Sequence, residues 1–127
     1  MSNRAVISTP SAPDAIGPYS QAIKAGNTVW LSGQIPLVPG SGELVEGGIA
    51  AQATQVFENL AAVADAVGGS LDNAVKINIS LVDLADFAAV NEVMARFLEE
   101  PYPARACVQV AALPRDARIE VEAILVL

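Results

Sequence analysis

The chain has 127 residues, a length that fits one globular domain over residues 1–127. Hydrophobic residues make up 53% and charged residues 17%, which excludes intrinsic disorder and leaves few charges to cover the surface of a small protein. We therefore expect some apolar surface to be buried in an oligomer. Seven Lys and Arg residues against fourteen Asp and Glu residues give a net charge of −7, which argues against non-specific binding to nucleic acid.

The histidine and cysteine counts exclude several kinds of site. Without histidine there is no Ser-His-Asp or Cys-His catalytic unit and no His-ligated metal. The single cysteine, Cys107, excludes an intrachain disulfide and a Cys-rich zinc cluster, and it fits the reducing cytoplasm. The N-terminus lacks the apolar region of a secretory signal, and the longest uncharged stretch, 25–42, contains two prolines and four glycines. We expect a cytoplasmic protein without a membrane segment.

The first half of the chain predicts three short strands and a helix. A possible strand at 5–8 precedes an irregular, proline-containing arm. Residues 22–25 and 28–32 form a predicted hairpin, with Gly26-Asn27 supplying the positive φ angles of a tight turn. Apolar residues then recur every three or four positions over 49–67, which predicts an amphipathic helix that ends at Gly68-Gly69.

The second half predicts a strand, a helix and two further strands. Apolar residues alternate with polar ones over 75–81, from Val75 to Leu81, as in a strand with one buried face. Asp83 can cap a helix whose apolar face begins at Leu84 and continues to residue 98, before two prolines. Strands are predicted at 104–110 and 118–126, around a turn at 113–116.

The predicted order is β-β-β-α-β-α-β-β, an α+β fold. The strand–helix–strand crossovers predict neighbouring parallel strands, whereas the hairpin is antiparallel. A mixed sheet with both helices on one face follows, and its other face is left without a cover. This open face again predicts self-association.

Two charged residues on predicted strands are candidates for a site. Arg105 shares one side of its strand with Cys107, and its planar guanidinium suits a ligand carboxylate. On spacing alone, an edge or surface arginine paired with an acid is the more common interpretation. Glu120 lies opposite Ile119 and Val121, which favours a solvated strand face. The functional alternative is a general base whose pKa is raised by partial burial.

Other candidates have weaker signals. Cys107 has no histidine to activate it, so a small buried residue is the better interpretation. Tyr19 follows Gly-Pro and can cover a small-molecule site or anchor the N-terminal arm. Ser32-Gly33 ends a strand, where Gly33 allows a ligand close to the backbone or simply permits a turn. Neither of the glycine-rich phosphate-binding motifs is present.

Five segments in register resemble the RidA/YjgF family of 2-iminobutanoate/2-iminopropanoate deaminases. They are AIGPYSQAI, LSGQIPLVPGSGEL, the helix that carries Gln52 and Asn59, DFAAVNEV and PARACVQVAALPRDARIEVEAI. The resemblance covers about residues 11–126. It implies a chorismate-mutase-like α+β fold, a homotrimer with a central barrel of sheets, and ligand clefts between subunits.

The resemblance also implies an activity and a set of site residues. The family hydrolyses reactive enamines and imines, such as 2-aminoacrylate, to 2-oxo acids and ammonia, without a metal or organic cofactor. Its carboxylate-binding arginine corresponds to Arg105 and its water-positioning glutamate to Glu120. Ala106 departs from the serine of many relatives. The resemblance places these further residues around the pocket: Tyr19, Ser32, Gly33, Asn91 and Cys107.

Two other functions remain open at this stage. The first is a non-catalytic trimer that binds small carboxylates through the same arginine. The second is an RNA-cleaving or translation-inhibiting activity like that attached to some relatives. The net charge of −7 and the absence of histidine weigh against the second function, because RNA binding normally needs a cationic surface.

Overall fold

The computed structural model describes residues 3–127; Met1 and Ser2, which the single-domain prediction includes, lie outside the described residues. Six strands form one mixed sheet, and two α-helices are connected to it. The strands are β1 (Arg4–Ile7), β2 (Ala22–Ala25), β3 (Thr28–Gln34), β4 (Ala74–Leu81), β5 (Ala104–Gln109) and β6 (Ile119–Val126). The helices are α1 (Ile49–Ala66) and α2 (Phe87–Phe97). The predicted α+β fold and the order of its elements are confirmed.

The sheet order, β1-β2-β3-β6-β4-β5, corrects one expectation. β4 and β5 are parallel neighbours, as the crossover through α2 predicts. The strands joined through α1 are not neighbours, because β6 lies between β3 and β4 and pairs antiparallel with both. The last strand therefore occupies the centre of the sheet, and β5 is left at an edge.

Local chemistry explains the turn and the helix end. Gly26 begins the β2–β3 turn with a φ of +59°; Asn27, contrary to expectation, does not share the positive φ. At the end of α1, Gly68 has a φ of +84°. The Gly68 amide donates to the Asp65 carbonyl and the Gly69 amide to the Ala64 carbonyl, which is the hydrogen-bond pattern of a Schellman motif. The predicted glycine stop is thus confirmed.

Both helices cover one face of the sheet, where the core is buried. Phe57 of α1 stacks on Phe97 of α2 with ring centroids 5.6 Å apart. Two predicted core positions are wrong. Val75 is exposed because the pairing of β4 with β6 shifts register between Ala74 and Lys76, so that a bulge interrupts the alternation. Leu84 is exposed because it belongs to a separate 3-10 turn, capped by Asp83, that precedes α2.

The opposite face of the sheet carries a row of apolar side chains. Strand register places Val6, Ile23, Trp30 and Ile124 side by side across four strands. Trp30 is 46% exposed and Val6 is 66% exposed. Neither helix packs on this side, so we call it the open face. Among residues 3–127, no helix has both the length and the apolar character to cross a membrane.

Candidate active site

Glu120 lies on the open face of the central strand β6. Its neighbours in sequence, Ile119 and Val121, are fully buried on the helix side, and its cross-strand partner is Ser80 of β4. The carboxylate is half-buried. Burial raises the pKa of Glu120, and the nearby negative charge of Glu122 raises it further. The environment required for a general base is therefore present.

The strand beside Glu120 contains a bulge. Leu31 pairs with Ala123 and Gln34 with Val121, so Ser32 and Gly33 together face a single residue of β6. The Ser32 hydroxyl donates to the Ser20 carbonyl at 2.5 Å, and the Ser32 amide donates to the Gln21 carbonyl at 3.0 Å. These bonds attach the bulge to the loop that carries Tyr19.

The side chain of Gln21 fixes the position of this loop. The sequence patterns do not identify Gln21 as a residue of the site. It is buried, its Oε1 accepts from the Thr9 amide, and its Nε2 donates to the Thr9 and Pro13 carbonyls. Tyr19 itself is 52% exposed. Four of the predicted site residues therefore belong to one region, which we call the glutamate cluster: Tyr19, Ser32, Gly33 and Glu120.

Arg105 lies elsewhere, on the edge strand β5. It pairs in register with the buried Ile77, so its side chain emerges on the helix side of the sheet. Its Nη1 donates to Oδ1 of Asn91 at 2.5 Å, and its guanidinium lies 5.0 Å from the centroid of the Phe87 ring. In the part of the chain that the structure describes, Arg105 has no acidic partner. Its positive charge is thus oriented by an amide and a ring but is not neutralised.

Cys107 follows Arg105 on the same side of β5, as the alternation predicts. Burial raises the pKa of the Cys107 thiol, and the Arg105 charge only partly opposes this. A raised pKa disfavours the thiolate form that a nucleophile needs, and the side chain is only half-buried, not the fully buried small residue that the sequence predicts. Asn91, Arg105 and Cys107, together with Phe87, form a second region that we call the arginine cluster.

Arg105 lines two cavities of about 400 Å³ each. One is lined by Leu84, Phe87, Arg105 and Cys107. The other is largely apolar and is lined by Ile77, Asn91, Met94, Ala95, Leu98, Tyr102, Pro103 and Arg105. The sequence pattern places Leu84 and Phe87 only on the apolar face of a helix, since it contains no signal for the strand that this face will meet. Within the described chain, no group of three Cys, Asp or Glu side chains is placed to hold a metal ion.

The two clusters do not meet in one chain. Glu120 and Arg105 belong to strands that are two positions apart, about 10 Å across the sheet. Their side chains also point to opposite faces, because Glu120 pairs with Ser80 and Arg105 with Ile77, three residues apart on β4. A small ligand that contacts both groups therefore cannot be held by one chain in this conformation.

Residues 9–127 match the family model described as "Endoribonuclease L-PSP". The chain belongs to this family, which is also called RidA/YjgF.

Individual relatives are similar over essentially the whole chain. The 2-iminobutanoate/2-iminopropanoate deaminase of Dermatophagoides farinae is 49% identical, with 100% of this chain and 99% of the relative covered. The crystal structure of RidA from Psychrobacter sp. PAMC 21119 is 56% identical and superposes with a TM-score of 0.93, covering 97% and 99% of the two chains. Escherichia coli TdcF with bound serine is 42% identical, with a TM-score of 0.91 and coverage of 97% and 98%.

Proposed function

We propose that the protein is a 2-iminobutanoate/2-iminopropanoate deaminase, which hydrolyses reactive 2-imino acids and their enamine tautomers to 2-oxo acids and ammonia. The observation that carries this proposal is 49% identity over the full chain to a deaminase of that name. Arg105, which has no acidic partner among residues 3–127, and a carboxylate with a raised pKa at Glu120 support it.

The arginine cluster supplies the anchor for the substrate. A guanidinium binds a carboxylate through two parallel N–H···O bonds, and this fixes the orientation of the rest of the molecule. Asn91 and Phe87 hold Arg105 ready for that contact. Long-range steering cannot help, because a net charge of −7 repels an anionic substrate. Capture therefore depends on local contacts with Arg105.

The glutamate cluster supplies the proton transfer. The carbon of a C=N bond is already electrophilic, so positioning a water molecule against it is most of what catalysis requires. The Glu120 carboxylate accepts a proton from the water molecule as the water oxygen bonds to the imine carbon. The carboxyl group passes this proton to the nitrogen, which becomes an amine. The new hydroxyl group then gives its proton, through the same carboxylate, to that nitrogen as the C–N bond breaks, so both protons of the water leave in ammonia and its oxygen stays in the 2-oxo acid. Tyr19 covers the ligand, and the backbone beside Ser32, Gly33 and Cys107 contacts it.

The site is formed between subunits of a homotrimer. Because the two clusters lie on opposite faces of one sheet, Arg105 of one subunit and Glu120 of the next must combine. The exposed apolar row on the open face supplies a surface for that assembly, since its burial is favourable. A trimer has about three times the mass of 13.1 kDa, which light scattering measures directly. A cytoplasmic location stays a prediction from the single cysteine.

Mixing two inactive variants tests function and assembly together. Arg105→Ala and Glu120→Ala are each expected to abolish acceleration of ammonia and pyruvate release from 2-aminoacrylate generated in situ. After subunits are exchanged in a 1:1 mixture, half of the clefts have an intact arginine and half an intact glutamate, so about one quarter of wild-type activity returns. Absence of recovery contradicts the shared site. A wild-type protein that adds nothing to the spontaneous rate leaves the non-catalytic binding trimer as the better interpretation.

A further inference from the structure

We infer that Gly33 is a positioning residue: its missing side chain leaves the space into which the Glu120 carboxylate folds. This rests on the proposed function for its catalytic consequence. A Cβ atom built at Gly33 lies 2.9 Å from Cδ and 2.9 Å from Oε1 of Glu120, and 3.1 Å from Cγ. The two distances of 2.9 Å are shorter than real Cβ contacts and the third is unusually tight, so a side chain at position 33 displaces the carboxyl group.

Backbone conformation does not explain the glycine. Six other glycines have positive φ angles, where residues with a side chain are strained, but Gly33 is not among them. An alanine could adopt its backbone without strain. The requirement for glycine at position 33 is therefore one of space beside β6.

The bulge cannot easily move away from an added methyl group. Ser32, the other residue of the bulge, is bonded through its hydroxyl to Ser20 and through its amide to Gln21. Glu120, in contrast, is the flexible partner. Across residues 3–127, its carboxylate makes no hydrogen bond or ion pair with another side chain, so packing over Gly33 is what holds it. We therefore expect the carboxylate to swing away while the strand stays in place.

Kinetics of Gly33→Ala test this inference. We expect kcat to fall by about 100-fold, since a displacement of about 1 Å costs that much, while KM changes less than about threefold. The matched control is Gly48→Ala. A Cβ at Gly48 meets only Nη1 of Arg118, at 3.9 Å, and its φ of −86° suits any residue, so kcat stays within about twofold of wild type.

The most decisive test repeats Gly33→Ala in a protein with a shorter acidic side chain at position 120. In Glu120→Asp the two atoms nearest to the built Cβ, Cδ and Oε1, are absent, and rotation of the shorter carboxyl group can turn its oxygens away from the new methyl group. We expect Gly33→Ala to cost less than about threefold in that background, against about 100-fold beside the native glutamate. The inference is overturned if Gly33→Ala lowers kcat by the same factor with glutamate and with aspartate at position 120. A general structural effect of the methyl group would be independent of the residue at position 120 and would give equal factors.

A crystal structure of Gly33→Ala separates this inference from the proposed function, because it does not depend on turnover. The inference predicts a displaced Glu120 carboxylate and an unchanged β3 backbone; a carboxylate in its original place overturns it, whether or not the protein is a deaminase. If Gly33→Ala does not fold, the double variant Gly33→Ala/Glu120→Ala decides. Recovery of folding supports the contact, and failure of both variants overturns it.

Discussion

The glutamate cluster and the arginine cluster carry opposite charges, which differ in their burial and in the contacts that position them. Glu120 keeps a half-buried negative charge that no cation neutralises, and it is placed by packing against a bulge. Arg105 keeps a more exposed positive charge that no acid neutralises, and it is placed by an amide and an aromatic ring. Across residues 3–127, which the structure describes, neither charge has an oppositely charged partner. In the proposed function these charges await two different reactants, a substrate carboxylate at Arg105 and a water molecule at Glu120.

Removing the arginine is expected to have the largest effect. In the proposed site Arg105→Ala leaves the substrate carboxylate without its bidentate partner, so we expect kcat/KM for imine hydrolysis to fall by about 1,000-fold. Arg105→Lys keeps the charge but loses the planar fork, and we expect it to recover only a small part of the loss. Coupled release of ammonia and 2-oxo acid measures both variants.

The control for this prediction removes a cation that is outside both clusters. Arg96 lies in the last turn of α2 and is exposed, and Arg96→Ala makes the same change in net charge. We expect its kcat/KM to stay within about twofold of wild type. Similar losses in Arg96→Ala and Arg105→Ala would show that net charge, and not the arginine cluster, governs capture.

Removing the charge of the glutamate is expected to have the next largest effect, with a different kinetic signature. Glu120→Gln keeps the shape of the side chain but cannot accept a proton, so kcat falls by about 100-fold while KM changes little.

The free energy of unfolding at neutral pH should increase in the same variant, although kcat falls. A carboxyl group whose pKa is raised on folding destabilises the folded protein once it is ionised, and neutral glutamine removes that cost.

Thermal unfolding at two pH values checks the second half of that prediction. Stability associated with Glu120 is lost as the pH rises from the ordinary glutamate pKa through the raised pKa, so Glu120→Gln is more stable than wild type at pH 7. The difference between the two proteins vanishes below the ordinary pKa, where wild-type Glu120 is also neutral. A variant less stable than wild type at pH 7 contradicts the direction of the pKa shift.

A smaller effect is expected from the neighbouring acid. The negative charge of Glu122 raises the pKa of Glu120, although less than burial does. Glu122→Gln therefore lowers the pKa of Glu120 and moves the acid limb of the kcat–pH profile to lower pH, with the maximal rate retained. High salt should reduce the difference between the two profiles, since it screens the charge of Glu122. A shift to higher pH would show that Glu120 is not the group that titrates.

Much of this arrangement follows from residue patterns that operate over a few positions. The alternation around Glu120 places it opposite a buried row, and the alternation of Arg105 with Ala106 places Cys107 on the same side. Gly68 ends α1 because only a local backbone conformation is at issue. These features depend on neighbours in sequence, so the sequence predicts them.

The features that could not be predicted depend on contacts between distant segments. Nothing in residues 119–126 says that this strand inserts between β3 and β4, and that insertion is what brings Glu120 beside Gly33. The apolar pattern at Val75 is the same with or without a bulge, so the register shift has no sequence signal. Phe87 fits an ordinary helix face, and only the position of β5 places its ring against a guanidinium.

The smallest expected effect concerns the segment that joins the two regions. β5, with Arg105, and β6, with Glu120, are connected through a turn in which Arg115 and Asp116 both have a φ of 60°. A left-handed backbone costs a residue with a side chain about 1–2 kcal/mol, and glycine gives back part of this through the entropy of the unfolded chain. Arg115→Gly should therefore stabilise the protein by about 0.5 kcal/mol in urea unfolding without changing kcat.

The control for this prediction is Arg96→Gly, the same substitution inside α2. It should destabilise the protein by about 1 kcal/mol, because there the helical backbone favours arginine. If Arg115→Gly instead lowers kcat, the turn does more than connect the strands and must help set the positions of the two clusters.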